Sequence, residues 1–335
     1  MIQLSNFPIQ PMPVNPKTLR IIFMGTPEFA VASLRKLVEE KYNVVAVVTV
    51  PDKPAGRGQK IQESDVKKFA VEKNITVLQP EKLKSPEFIE ELKSFQPDLQ
   101  IVVAFRMLPE IVWQLPRMGT FNLHGSLLPQ YRGAAPINRA IMNGEKKTGV
   151  TTFFLQHEID TGNIIFREEI EIGQDESAGD IHDRLMHVGA DLVLKTVNAI
   201  ADENYPQIPQ SDFLNAGEGI NFAPKIFRDD CKINWSWSGE KIHNHIRGLS
   251  PYPAAWMEFI PKSPGGNQES VVWKIYKAKF IPGVDSISEE NKKGKLFFPT
   301  NDGWIEILEL QIPGKKKMNV AEFLRGNKID EAYSL

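Results

Sequence analysis

The 335-residue sequence contains one cysteine, Cys231. A single thiol excludes an internal disulfide and a metal site built from several thiolates, and it fits a reducing, cytoplasmic compartment. The six histidines show no HExxH or paired Cys/His spacing, so we expect no metal. No window reaches 18 uninterrupted apolar residues, so we expect no membrane span. Residues 1–18 are polar and rich in proline, which disfavours a secretory signal and predicts a flexible N-terminal arm.

Net charge is nearly balanced. The chain has 40 Lys and Arg against 42 Asp and Glu, which argues against a globally basic protein that binds nucleic acid over its whole surface. The balance differs along the chain, because the part from residue 222 onward is slightly basic and the rest is slightly acidic. We therefore expect any polyanionic partner to contact the C-terminal part.

The length favours two domains, because one hydrophobic core rarely organises more than about 200 residues. Apolar, β-branched segments alternate with segments of helical periodicity from "LRIIFMG" onward. This alternation predicts a doubly wound, Rossmann-like α/β domain over 19–204. The region 205–224 is rich in Pro, Gly and Asn and predicts a linker. Short apolar segments separated by turn residues predict a small OB-like β-barrel over 225–335.

The segment "FNLHGSLLPQYRGAAPIN" (121–138) concentrates polar groups that could do chemistry. Asn122 and His124 end a predicted strand, where open α/β sheets bind ligands. Residues two apart on a strand point to the same side, so an amide donor and an imidazole donor can converge on one carbonyl oxygen. Asp160 lies in a predicted turn and could orient the imidazole if the fold brings the two together. Each residue alone fits a turn or core position equally well.

The segments "NLHGSLLPQYRG" and "HEIDTGNII" resemble the folate-dependent formyltransferases, whose signature is an Asn-x-His pair, an SLLP loop, and an Asp before Thr-Gly. Further segments resemble the members that act on methionyl-tRNA: "RIIFMGTPEFA", "PDKPAGRGQK", "AAPINRAI", "IRGLSPYPAAW" and "GKKKM". The resemblance implies transfer of a formyl group from the co-substrate 10-formyltetrahydrofolate to the α-amino group of methionine on initiator tRNA. It implies no metal.

The resemblance also implies roles for single residues. Asn122 and His124 would polarise the formyl oxygen, and Asp160 would tune His124 and assist proton transfer. A covalent nucleophile is not needed, because an α-amine is partly neutral at physiological pH. The loop that holds tetrahydrofolate would consist of Ser126, Leu127, Leu128 and Pro129.

The tRNA contacts follow from the same resemblance. The loop "PDKPAGRGQK" would enter the acceptor end of the tRNA, with Arg57 as the principal contact and Lys53 and Lys60 near phosphate. Further candidates for contacts to the tRNA backbone are Arg247, Lys315, Lys316 and Lys317. For an arbitrary chain, a basic Gly-rich loop would more often be solvated surface.

One segment departs from the family pattern. The family usually has an aromatic residue and then glycine after the strand "LQIVVA", whereas here Phe105 is followed by Arg106 and the segment to Pro109 is shorter by one residue. This region lies near the pterin in relatives. We assign no folate contact to it.

Other functions use some of the same residues. A small amine acceptor, such as glycinamide ribonucleotide or an amino sugar nucleotide, would keep the chemistry but would not need the basic loop or the barrel. Water as the acceptor would give a formyl-folate hydrolase. A non-catalytic tRNA-binding protein would not need Asn122, His124 and Asp160 together. We expect a monomer in each case.

Overall fold

The computed structural model describes residues 14–55, 60–215, 217, 219–261, 270–283, 286–288, 293–326 and 333–334. Most of the predicted arm, up to residue 13, therefore lies outside the described residues, as does Arg57. At the described end of the arm, the Val14 N–H donates to the Ala201 carbonyl at 3.1 Å.

Strands and helices occur in both halves of the chain. The strands are β1 Ile21–Gly25, β2 Val44–Val48, β3 Lys53–Ala55, β4 Lys60–Gln62, β5 Val77–Leu78, β6 Leu99–Val103, β7 Thr120–His124, β8 Arg132–Gly133, β9 Lys147–Phe154, β10 Ile164–Glu171, β11 Phe222–Ala223, β12 Ala255–Pro261, β13 Val271–Pro282, β14 Leu296–Thr300, β15 Gly303–Gln311, β16 Met318–Asn319 and β17 Tyr333–Ser334. The α-helices are α1 Glu28–Glu39, α2 Asp65–Glu72, α3 Pro86–Ser94, α4 Glu110–Trp113, α5 Pro136–Met142, α6 Ala178–Ala201, α7 Gly239–Leu249 and α8 Val320–Gly326. Short 3-10 helices lie at Pro16–Thr18, Gln210–Phe213 and Asp229–Cys231.

The described chain forms two compact units that interleave along the sequence. The first comprises Met1–Gln130, Gly149–Glu169 and Arg184–Ile220, and the second comprises the remaining stretches, Tyr131–Thr148, Ile170–Asp183 and Asn221–Leu335. Two stretches of the predicted α/β domain, Tyr131–Thr148 and Ile170–Asp183, thus group with the C-terminal part of the chain. The predicted linear division, with a linker at 205–224, stays a prediction.

A seven-stranded sheet forms the framework of the first unit, in the order β10-β9-β7-β6-β1-β2-β5. β1 is parallel to β2 and β6, and β6 is parallel to β7, whereas β9 is antiparallel to β7. Every residue of β1 and β6 is buried, as expected of central strands covered on both faces. Strand order reverses between β1 and β6, so ligands are expected at the carboxyl ends of these strands. The predicted Rossmann-like domain is confirmed.

The second unit is built on an antiparallel sheet in the order β14-β15-β13-β12-β17, with β16 beside β15. Alternate residues of β13 and β15, including Trp273, Ile275 and Ile307, are buried in one core with Ile242 and Ile246 of α7. α7 begins where the Ser238 hydroxyl accepts from the Lys241 N–H, which is a standard N-cap. The predicted β-rich second half is therefore confirmed. Within the described ranges, no helix is both long and apolar enough to cross a bilayer.

Candidate active site

Strand β7 carries Asn122 and His124 to the carboxyl end of the sheet. In the strand registers, Asn122 lies opposite Val102 of β6 and Phe153 of β9, and His124 lies opposite Thr151. The alternate residues Phe121 and Leu123 are buried, so the other face of β7 packs into the core. Asn122 is half-buried, and His124 is only 6% exposed. The strand therefore directs an amide and a largely desolvated imidazole to the same side of the sheet.

Asp160 reaches His124 from the turn between β9 and β10. The distance between His124 Nδ1 and Asp160 Oδ2 is 3.8 Å, although the residues are 36 positions apart in the sequence. Both side chains are mostly buried, so the interaction is weakly screened by solvent. At 3.8 Å the contact is an ion-pair distance rather than a hydrogen bond. The fold thus brings together the imidazole and the carboxylate that the sequence suggested as partners.

The Asp160 turn adopts a conformation that only some residues accept. Asp160 has φ +55°, in the left-handed region, where Asp is tolerated better than most residues. A Cβ added at Gly162 would lie 1.7 Å from the Phe154 carbonyl oxygen, which no side chain can satisfy. The close approach of this turn to β9 therefore requires glycine at position 162.

The SLLP loop lies directly after β7 and is held from β9. Thr151 Oγ1 donates to the Ser126 carbonyl at 2.7 Å and accepts from the Leu128 N–H at 3.1 Å. Within the loop, Ser126 Oγ donates to the Gln130 carbonyl at 2.6 Å. Three of the four predicted folate-binding side chains are buried, and Leu127 alone is half-buried. A bound heterocycle would therefore meet mainly the loop backbone and Leu127.

The basic loop is only partly described. Lys53 is exposed and lies opposite Gln62 in the β3–β4 hairpin, whose second strand begins at Lys60. The base of the hairpin is fixed by Asp52, which accepts hydrogen bonds from Lys67 and from Gln79, the latter at 2.7 Å. These bonds, the one from Lys67 above all, hold the pKa of the Asp52 carboxyl below its ordinary value. Arg57 lies outside the described residues.

Arg247 has an internal role in the second unit. Its side chain is 5% exposed and donates to the carbonyls of Gly173 and Glu176, at 3.3 and 2.9 Å, and to Asn244 Oδ1 at 2.8 Å. Burial lowers the pKa of the guanidinium. Because its donors already serve protein acceptors, little of Arg247 is available to a phosphate.

The three consecutive lysines differ from Arg247 because they are exposed. Lys315, Lys316 and Lys317 follow β15. Lys317 Nζ donates to Glu309 Oε2 at 2.8 Å and lies 5.4 Å from the centre of the Tyr276 ring. Lys315 and Lys316 are therefore better placed than Lys317 to contact a polyanion.

Two further buried residues make contacts that the sequence did not predict, although Tyr131 stands within the SLLPQYRG motif. Tyr131, in the second unit, donates its hydroxyl proton to Glu145 Oε1 at 2.5 Å, and burial raises the pKa of this hydroxyl strongly. Gln210, in the first unit, donates to the carbonyls of Asp160 and Gly162. Gln210 lies in the Pro-rich stretch whose composition predicted a linker. Within the described chain, no group of three or more His, Cys, Asp or Glu could hold a metal ion.

Both halves of the chain match known proteins. Residues 19–197 match the family described as formyl transferase, and residues 225–328 match the formyl transferase C-terminal domain. The chain is 52% identical over 323 residues to the methionyl-tRNA formyltransferase of Bacteroides thetaiotaomicron, covering 95% of this chain and 98% of that protein. It is 51% identical over 312 residues to the methionyl-tRNA formyltransferase of Flavobacterium johnsoniae, covering 92% of this chain and 96% of that protein.

Solved structures share the fold at lower identity. WlaRD, a sugar 3N-formyl transferase crystallised with dTDP and 5-N-formyl-THF, matches 89% of this chain and 99% of its own, with a TM-score of 0.59 and 23% identity. HypX from Aquifex aeolicus, in complex with tetrahydrofolic acid, matches 91% of this chain and 47% of its own, with a TM-score of 0.59 and 17% identity. On the family matches and the full-length relatives, the chain belongs to the formyl transferase family.

Proposed function

We propose that the chain transfers the formyl group of 10-formyltetrahydrofolate to the α-amino group of methionine on initiator tRNA, giving N-formylmethionyl-tRNA for translation initiation. Relatives about half identical over nearly the whole chain carry the name methionyl-tRNA formyltransferase. The observation that carries the chemistry is the 3.8 Å approach of Asp160 to His124 at the carboxyl end of β7. The sugar formyl transferase WlaRD, which would represent the small-acceptor alternative, is only 23% identical to the chain.

The side chains of the site divide the work of an acyl transfer. As the amine attacks the formyl carbon, the formyl oxygen gains negative charge, and donors on Asn122 and His124 would stabilise it. The carboxylate of Asp160, 3.8 Å from His124 Nδ1, would orient the imidazole as a donor to the oxyanion. Transfer also requires that the amine lose a proton and the folate nitrogen gain one. Asp160 and His124 are the groups that could move this proton.

Binding of the two substrates would use separate parts of the chain. Ser126, Leu127, Leu128 and Pro129 would hold the tetrahydrofolate, largely through the loop backbone. The hairpin with Lys53, Arg57 and Lys60 would contact the acceptor end of the tRNA. The exposed lysines at 315–317 would contact its backbone, and the buried Arg247 is not included in this role. We place the protein in the cytoplasm as a monomer.

His124→Ala tests the proposed chemistry. Loss of one oxyanion donor is expected to slow single-turnover formyl transfer by on the order of 10²-fold or more, with little change in the Kd for tRNA. His182→Ala is the matched control, because His182 is partly exposed and pairs with its neighbour Asp183. A transfer rate in His124→Ala close to that of His182→Ala would contradict the assigned role.

A further inference from the structure

The segment Ile208–Phe213 is hydrogen-bonded to the Asp160 turn. Ile208 and Ile164 exchange two backbone hydrogen bonds, of 3.0 and 2.9 Å, beside the first residues of β10. Phe213, at the other end of the segment, packs against the cluster of Leu128, Phe153 and Ile164. One short stretch therefore bonds to the strand that follows the Asp160 turn and packs against the cluster that contains Leu128 of the SLLP loop.

Gln210 lies between these two anchors and holds the turn itself. Its side-chain Nε2 donates to the Asp160 carbonyl at 2.8 Å and to the Gly162 carbonyl at 2.9 Å. Gln210 is only 4% exposed, so water cannot readily replace its amide. The two acceptors flank Thr161, so a single amide bridges the turn that carries the catalytic carboxylate.

This bridge acts on a backbone conformation that needs support. Asp160 has φ +55°, and residues in the left-handed region persist only where surrounding contacts fix them. The carboxylate already lies 3.8 Å from His124, so further displacement would weaken its effect on the imidazole. Without the amide, the carbonyls of Asp160 and Gly162 each lose a hydrogen bond from a buried donor, and the turn loses this side-chain restraint.

We propose that Gln210 is a positioning residue, which fixes the Asp160 turn so that the carboxylate faces His124. The segment Ile208–Phe213 thereby belongs to the framework that holds the Asp160 turn. This inference rests on the proposed function for its kinetic effect. Its structural effect, on the turn, does not depend on the acceptor.

The kinetic test uses Gln210→Met, which keeps the size of the side chain and removes both donors. We expect single-turnover formyl transfer to slow by roughly 10- to 100-fold, as for other losses of side chains that orient a reacting group. KM for tRNA and for the folate should change little. Gln210→Asn keeps the donors but is one methylene shorter, and it should lie between the wild type and Gln210→Met. Gln100→Met is the control, because Gln100 is a fully buried glutamine whose carbonyl oxygen accepts from the Thr120 hydroxyl of β7.

A double-variant cycle separates positioning from a general structural role. If Gln210 acts through the carboxylate, Gln210→Met should have almost no further effect in an Asp160→Asn background. An equal loss of rate in both backgrounds, or a wild-type rate in Gln210→Met, would overturn the inference.

Hydrogen exchange distinguishes failure of this inference from failure of the proposed function. Amides of residues 158–163 should exchange faster in Gln210→Met than in Gln100→Met, whatever the acceptor. Unchanged protection would contradict the inference by itself. A wild-type protein that does not formylate methionyl initiator tRNA would contradict the proposed function, and faster exchange in the variant would still support the positioning role.

Discussion

Gly162→Ala should disable the enzyme by moving the Asp160 turn. An added Cβ would lie 1.7 Å from the Phe154 carbonyl oxygen and 3.1 Å from a ring carbon of Phe153. Real Cβ contacts do not fall below 3.0 Å, so the turn and β9 must separate by about 1.3 Å. The obstacle is backbone, which cannot rotate away as a flexible side chain could. A displacement of about 1 Å in a catalytic group can cost on the order of 10²-fold in rate.

The expected result is a kcat lowered by about 10²-fold, with stability lowered by about 1–3 kcal/mol, as for other overpacked sites. Single-turnover formyl transfer measures the loss of rate, and urea unfolding measures the loss of stability. Gly219→Ala is the matched control in the same unit, because no heavy atom lies within 4 Å of its added Cβ. A Gly162→Ala protein within threefold of the Gly219→Ala rate would refute the claim that the turn position is critical.

Further predictions concern tRNA and acid stability. Arg57→Ala should raise KM for tRNA with little change in folate binding, and equal losses of both would contradict the assignment. The logarithm of tRNA affinity should fall linearly with the logarithm of salt concentration if lysines contact phosphates, and a flat dependence would exclude such contacts. Burial lowers the pKa of His245 to about 4, so the unfolded chain binds a proton below about pH 6.5 that the folded chain does not. Stability should therefore fall as pH drops from about 6.5 to 4, by about 3 kcal/mol from this residue, and His245→Leu should flatten that slope in urea unfolding. If stability of His245→Leu depends on pH as steeply as that of the wild type, the role assigned to His245 is contradicted.

The sheet was predictable because its signals are local. Apolar runs such as those of β1 and β6 predict buried strands, and the helices between them show the expected period. Asn122 and His124 were predictable for the same reason, since a strand alone determines that they share a side. The pairing of His124 with Asp160 could only be suggested, because it depends on how the turn between β9 and β10 approaches β7.

Burial and loop contacts were not predictable from composition. Arg247 looks like any surface arginine in "IRGLSPYPAAW", but its donors bind carbonyls of Gly173 and Glu176, which lie more than 70 positions earlier. Gln210 lies in a Pro-rich stretch that indicates a linker, whereas its amide binds a turn about 50 positions earlier. In both cases the hydrogen bonds join segments that are distant in the sequence, so no local sequence pattern predicts them.

The most direct test of the central claim is a competition between acceptors. The purified chain would be supplied with 10-formyltetrahydrofolate and, in parallel, with methionyl initiator tRNA, glycinamide ribonucleotide or an amino sugar nucleotide, and the formylated product would be measured. We expect formylation of the tRNA alone. Product from a small acceptor, or formate released without any amine, would contradict the proposed function.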